Sequence, residues 1–223
     1  MQNIYYNHIP ADIHNRRINS LIHFTAASNI NSILQNGILS KATLNQYHIE
    51  HAYNDEMRLD GFPNSISLSI EFPNYSMFSK YRIYDSNSKD MVIIQIDPRV
   101  LLDKDCAFYY TNAASKDFHN VNPQSLKDYG AWSSMFAENY KGIQRNQLNL
   151  PSNYTTHPQA EVLCFNKIEP HYIKCITFEN QYHFDKNYMK YNYPSWPFSR
   201  GLYVLNNSYY NARFDYQYWK SNK

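Results

Sequence analysis

Glycine is scarce in this chain, with five in 223 residues. That leaves little room for loops that wrap phosphates in bare backbone, and neither GxGxxG nor a P-loop is present. Cysteine is scarcer still. Cys106, Cys164 and Cys175 show no CxxC spacing, which argues against a zinc site or a disulfide scaffold and for a reducing compartment. The nine histidines include no HExxH pair, so no metal is expected, and GxSxG is absent too. No stretch approaches the roughly 20 apolar residues of a membrane span, and the opening MQNIYYNHIPADIHNRRINS has no apolar signal region. The expectation is a cytoplasmic protein. Net charge is only +2, too little by itself to mark a nucleic-acid binder.

Tyrosine and phenylalanine are abundant instead, at 22 and 12 residues. Such rings can stack on bases. The same enrichment also follows from a compositional bias toward Asn, Ile, Lys and Tyr. With 43% hydrophobic and 18% charged residues the chain has an ordinary globular composition. Its length suits one domain over 1–223, with a core of about 20–180 and an extension at 181–223 of uncertain fold.

Leu21 to Thr25 alternates and predicts a short strand. Ala27, Ile30, Ile33 and Leu34 then recur at helical spacing, with Thr25 or Ser28 as cap and Gly37 as stop. Residues 41–60 are polar and without period. Ser65-Ile66-Ser67-Leu68-Ser69-Ile70 is the cleanest alternating strand. Strands are also predicted at 91–96, 106–110, 160–165 and 172–178. A short helix is expected within 125–140, with Trp132, Met135 and Phe136 on its apolar side. Residues 141–158 are polar and patternless, and a loop of that length inside a domain is usually functional.

Three features carry chemistry. Glu161 opens an apolar strand, and Gln159, two residues earlier, shares its face in an extended chain. A carboxylate there is costly to bury without a purpose or a partner; an ion-paired strand end has the same appearance. His23 and Thr25 share one face of the first strand, opposite Phe24. Arg58 precedes the 65–70 strand, and a guanidinium fork can clamp a pyrophosphate, although it also sits in a charge run.

In order, these segments are LIHFTAASNINSILQNGIL, MRLDGFPNSISLSIEFPNYSMF, YYTNAA and HPQAEVLCF. Together they resemble the DarT family, the DNA ADP-ribosyltransferase toxins of bacterial toxin–antitoxin pairs, over roughly 20–180. The resemblance implies an α+β fold of the ADP-ribosyltransferase type, a mixed β-sheet core with peripheral helices. It implies NAD as a consumed co-substrate, single-stranded DNA as acceptor, and a macrodomain antitoxin that reverses the modification. By the same resemblance, Glu161 and Arg58 are catalytic, and His23, Thr25, Asn29 and Arg58 hold NAD. Gln159, Tyr154 and His157 meet the substrate from a recognition loop at 144–158. The segment around Arg58 departs from the thymidine-modifying members, which tilts the expected acceptor from thymine toward guanine. Lys80, Arg82, Lys127, Lys141 and Arg145 are candidate phosphate contacts. The same residues also fit a transferase acting on RNA or protein, and a nucleotide-binding module without turnover remains a separate reading.

NAD glycosyl transfer passes through a cation-like sugar, as glycoside hydrolysis does. One carboxylate beside that sugar stabilises the developing charge and helps activate the incoming group.

Overall fold

The computed structural model describes residues 8–52, 59–84, 90–194 and 203–221. A seven-stranded sheet runs in the order β4-β7-β2-β1-β3-β8-β9. Its strands are β1 (Leu21–Ala26), β2 (Ser65–Ile70), β3 (Met91–Ile96), β4 (Cys106–Tyr109), β7 (Glu161–Phe165), β8 (Ile173–Phe178) and β9 (Tyr203–Leu205). A separate hairpin pairs β5 (Asn139–Tyr140) with β6 (Ile143–Gln144). Within the large sheet every pairing is antiparallel except β8 with β9, so the sheet is mixed, as expected.

The helices are short: α1 (His8–Arg16), α2 (Ile30–Asn36), α3 (Lys41–Gln46), α4 (Tyr75–Ser79), α5 (Val100–Asp103), α6 (Tyr129–Ser134), α7 (Gln181–Tyr191) and α8 (Tyr216–Ser221). α3 and α4 fall where no helical period is visible, and capping side chains start them. Ser40 accepts from Thr43 N–H and Asn74 from Met77 N–H. The expected cap of α2 is not made. A 3-10 turn at Ala27–Asn29 leads into it, and Thr25 accepts a bond from the Asn29 amide instead.

Strand alternation sorts the core. Ile66, Leu68 and Ile70 join Leu21, Val92, Ile94, Val162 and Trp132 in the large cluster on one face. The opposite face holds a cluster around Ile22, Phe78 and Ile93 and another around Ala107, Tyr109 and Leu163. The serines of β2 lie between those two, because a period of two sends them to that face. Trp132, Met135 and Phe136 are buried as their spacing implied.

The segment after 180 packs onto the sheet. β9 extends β8. The Tyr193 hydroxyl donates to Ala27 O at 2.9 Å, and that of Tyr210 lies 3.1 and 2.9 Å from the carbonyls of Met91 and Thr177.

Candidate active site

The sheet is split at its centre. β1 pairs with β3 along all six of its residues, Leu21 to Ala26, but with β2 only at Leu21↔Ile70 and Ile22↔Ser69. Beyond Ile22 the two strands part. A cavity of about 380 Å³ occupies the gap, lined on one side by 22–25 and on the other by 65–69. That volume lies within the usual range for small-molecule sites, about 300–1,000 Å³.

His23 bridges the gap. Its Nδ1 lies 3.1 Å from the Ser67 carbonyl oxygen. A carbonyl only accepts, so Nδ1 carries a proton in this contact. Thr25 and Asn29 also line the cavity. The Asn29 amide donates to Thr25 Oγ1 and to Ala52 O, both at 2.9 Å, while its oxygen accepts from Ala52 N–H. Asn29 therefore fixes the wall at residue 52.

Glu161 stands at the start of β7 and lines the same cavity, half-buried. Its Oε2 accepts from the Ala113 N–H at 3.0 Å and from the Asn112 amide at 3.3 Å. Asn112 also lines the cavity. A backbone donor and a side-chain donor orient the carboxylate. Across the β4–β7 register, Tyr109 faces Glu161. Its phenol is pushed up to about 12, first by burial and then by the nearby carboxylates of Asp60 and Glu161. Such a negative field suits a reaction centre that gains positive charge.

Gln159 does not share the face of Glu161. A turn intervenes, with Ala160 N–H donating to His157 O at 3.1 Å, and the strand starts at Glu161. Gln159 and His157 line a second cavity of about 270 Å³. Asn74 and Ser76, at the start of α4, line both cavities, so the two adjoin. Gln159 N–H donates to His157 Nδ1 at 3.1 Å. Tyr154 lines neither cavity and packs against Phe72, Phe214 and the Arg213 guanidinium. Arg58 lies outside the described residues.

The 144–158 segment is tied down rather than loose. Arg145 is buried, donates to Thr156 Oγ1 at 3.0 Å and to Pro151 O, and burial pulls its guanidinium down to about 10. Arg213 adds bonds to the carbonyls of Thr155 and Thr156 at 3.0 and 3.2 Å, and is itself paired with buried Asp215 at 2.6 Å. Arg145 is thus a structural clamp and not a phosphate contact. Arg82, Lys127 and Lys141 are engaged by Glu179, Asp105 and Asp117, whereas exposed Lys80 lines the first cavity.

Sequence reasoning missed Asn112, Ala113 and Ser67 as parts of the site. The serines were legible as the polar half of an alternating strand. Nothing local in YYTNAA shows that its backbone meets a residue 48 positions later.

Among the described residues no His, Cys, Asp and Glu cluster is arranged to hold a metal ion, and no helix is long and apolar enough to cross a membrane.

A family model described as "ssDNA thymidine ADP-ribosyltransferase, DarT" matches residues 22–191. No curated protein matches the sequence. Solved structures share the fold at low identity. Thermosipho africanus DarTG in complex with ADP-ribose matches 86% of the chain at 16% identity with a TM-score of 0.56. The chain spans 50% of the length of that protein. Thermus sp. 2.9 DarT in complex with ADP-ribosylated ssDNA matches 87% of this chain and 97% of its own, at 12% identity and a TM-score of 0.53. The same Thermus protein in complex with carba-NAD+ matches 86% of this chain and 98% of its own, at 13% identity and a TM-score of 0.53.

Proposed function

The chain belongs to the DarT family, and from that premise we propose that it transfers ADP-ribose from NAD to a thymidine base in single-stranded DNA and releases nicotinamide. The observation that carries this reading is Glu161, held by Ala113 N–H at the edge of the cavity where β1 and β2 part. The family description names thymidine. The preference for guanine drawn from the Arg58 segment has no support, and thymidine replaces it.

The cleft suits NAD on its own terms. Phe24, Ile33 and Met77 supply apolar lining for a flat ring. His23 lines the same cavity, where a ribose hydroxyl could reach its ring. A more open depression lined by Ser28, Asn45, His48 and Glu50 adjoins the cavity through Asn29, Leu44, His51 and Ala52, and gives the rest of a dinucleotide somewhere to lie. Arg58 would pair with its phosphates.

NAD supplies the ADP-ribosyl group, with nicotinamide as the leaving group. Glu161 then has two tasks. It stabilises positive charge on the ribose as the bond to nicotinamide breaks. It also accepts, directly or through a water, the proton that the base nitrogen loses on bonding to the ribose. A base stacked in a duplex hides that nitrogen, so a single strand is the accessible acceptor. Gln159 and His157, which line the adjoining cavity, would meet the strand. The partner is proposed to be a macrodomain antitoxin that removes ADP-ribose, a pairing consistent with the DarTG relative of twice this length bound to ADP-ribose.

An RNA or protein acceptor uses the same catalytic group. Incubation with labelled NAD and separate DNA, RNA and protein acceptors decides: label on thymidine-containing single-stranded DNA supports the reading, and label only on protein or RNA overturns it. A binding module without turnover would leave NAD intact in every arm.

A further inference from the structure

The second cavity takes part of its wall from residues beyond the family match, which ends at 191. Tyr216, Trp219 and Lys220 of α8 line it, together with Tyr140, His157 and Gln159. Its aromatic rings form two groups. Tyr140, His157 and Trp219 pack on one another at centroid distances of 4.9, 4.6 and 5.6 Å. Tyr75 and Tyr216 meet edge to face at 5.3 Å.

Lys141, Arg213 and Lys220 line it, the first two ion-paired with Asp117 and Asp215, and among the described residues no carboxylate lines it. Lys220 is exposed at the rim. At about 270 Å³ the cavity falls just below the usual range for drug-sized ligands and suits a single planar ring system. It adjoins the cleft that holds Glu161 through Asn74 and Ser76, and Gln159 in its lining is two residues from Glu161.

The lining is braced from behind by an ion pair and hydrogen bonds. Arg213 and Asp215 pair in the interior, Trp219 Nε1 donates to Asp215 at 2.8 Å, and Arg213 reaches the carbonyls of Thr155 and Thr156. One ion pair thus fixes α8 and the segment before Glu161 in a common frame. Aromatic faces with cations at the rim are the combination that binds a base of a single strand together with its phosphate.

We propose that this cavity receives the base next to the acceptor thymidine, so that the C-terminal segment sets where the strand sits relative to Glu161. The inference rests on single-stranded DNA being the acceptor, as proposed above.

The test uses oligonucleotides with one acceptor thymidine, either intact or lacking the base of the nucleotide on its 5′ or 3′ side. KM and kcat for ADP-ribose incorporation are measured with the wild-type protein, Tyr216→Ala and Tyr216→Phe. Removing the base on one particular side is expected to raise the wild-type KM roughly 5- to 150-fold, with a much smaller change in kcat. Tyr216→Ala is expected to raise KM for the intact strand and to lose nothing further when that base is missing. Tyr216→Phe, which keeps the ring, restores both.

Base removal that is harmless on both sides overturns the proposal, as do losses that multiply independently in Tyr216→Ala. The wild-type protein alone decides the first of these, whether or not the variant folds. If the wild-type protein modifies no DNA at all, the functional reading fails as well. If it modifies the intact and base-lacking strands equally, only the subsite fails.

Discussion

Nδ1 of His23 lies 3.1 Å from the carbonyl oxygen of Ser67, across the gap where β1 and β2 part after two residue pairs. One side chain spans the opening that the backbone ladders leave. The bond also places a proton on Nδ1. His23→Ala removes one hydrogen bond toward the bound dinucleotide. It is expected to raise KM for NAD roughly 2- to 10-fold while kcat falls less. Steady-state kinetics over a range of NAD concentrations check this; a fall in kcat with KM unchanged would place His23 outside NAD binding.

Asn112 reaches Glu161 Oε2 at 3.3 Å, beside the Ala113 N–H at 3.0 Å. Asn112 is a positioning residue, since Ala113 still holds the carboxylate when its amide is lost. Hydrogen bonds to charged groups are worth about 1.5–3 kcal/mol. Asn112→Ala is therefore expected to lower kcat about 10- to 100-fold, with near-normal thermal stability. The pH profile of kcat is expected to shift with it, because a donor to the ionised carboxylate is lost. An unchanged profile alongside reduced kcat would argue for a different role.

Gly37 has φ of +81°, and a Cβ there would overlap the carbonyl oxygen of Ile168. The chain passes this close because Ile38 and Ile168 form an isolated bridge. Gly37→Ala adds backbone strain and overpacking, each costing about 1–3 kcal/mol. Denaturant unfolding is expected to show a loss of roughly 2–4 kcal/mol. Gly61, with nothing within 4 Å of its Cβ position, is the control for φ alone, since its φ is +78°.

His183 carries a pH-dependent part of the stability. Burial pulls its imidazole below the usual value of 6.5, against the pull of Asp90 and Glu179, and its Nδ1 accepts from Glu179 N–H at 3.3 Å. The unfolded state therefore binds the proton more readily than the folded state. Stability is full above pH 6.5 and declines as pH falls through it. The melting temperature is expected to drop between about pH 7.5 and 5.5, with a smaller drop in His183→Gln. Equal drops would assign the acid sensitivity elsewhere.

Much of the sheet was legible because its strands alternate or run apolar. α3 and α4 were not, since Ser40 and Asn74 start them through caps and no apolar period announces them. Glu161, His23 and Thr25 stand out by residue type and order only together with the family resemblance, and the structure brings them to one cavity. Gln159 was assigned to the wrong face because strand alternation was extended one turn too far, past the 157–160 hydrogen bond. Arg145 looked like a surface cation in a polar stretch. Its burial depends on Thr156 and Pro151, contacts that a one-dimensional pattern does not contain. The C-terminal segment resisted reading for the same reason: β9 is three residues long, and α8 is anchored by the Arg213–Asp215 pair rather than by an apolar stripe.

The proposed role of Glu161 is to drive transfer of ADP-ribose from NAD to thymidine in single-stranded DNA. It is tested most directly by mass spectrometry of one oligonucleotide containing a single thymidine, after incubation with NAD and either the wild-type protein or Glu161→Gln. With the wild type, one added ADP-ribose is expected, located on the thymidine. Glu161→Gln is expected to slow the reaction by a factor on the order of 10²–10⁴. An unmodified oligonucleotide with the wild type, modification on another base, or equal modification by Glu161→Gln would contradict the claim.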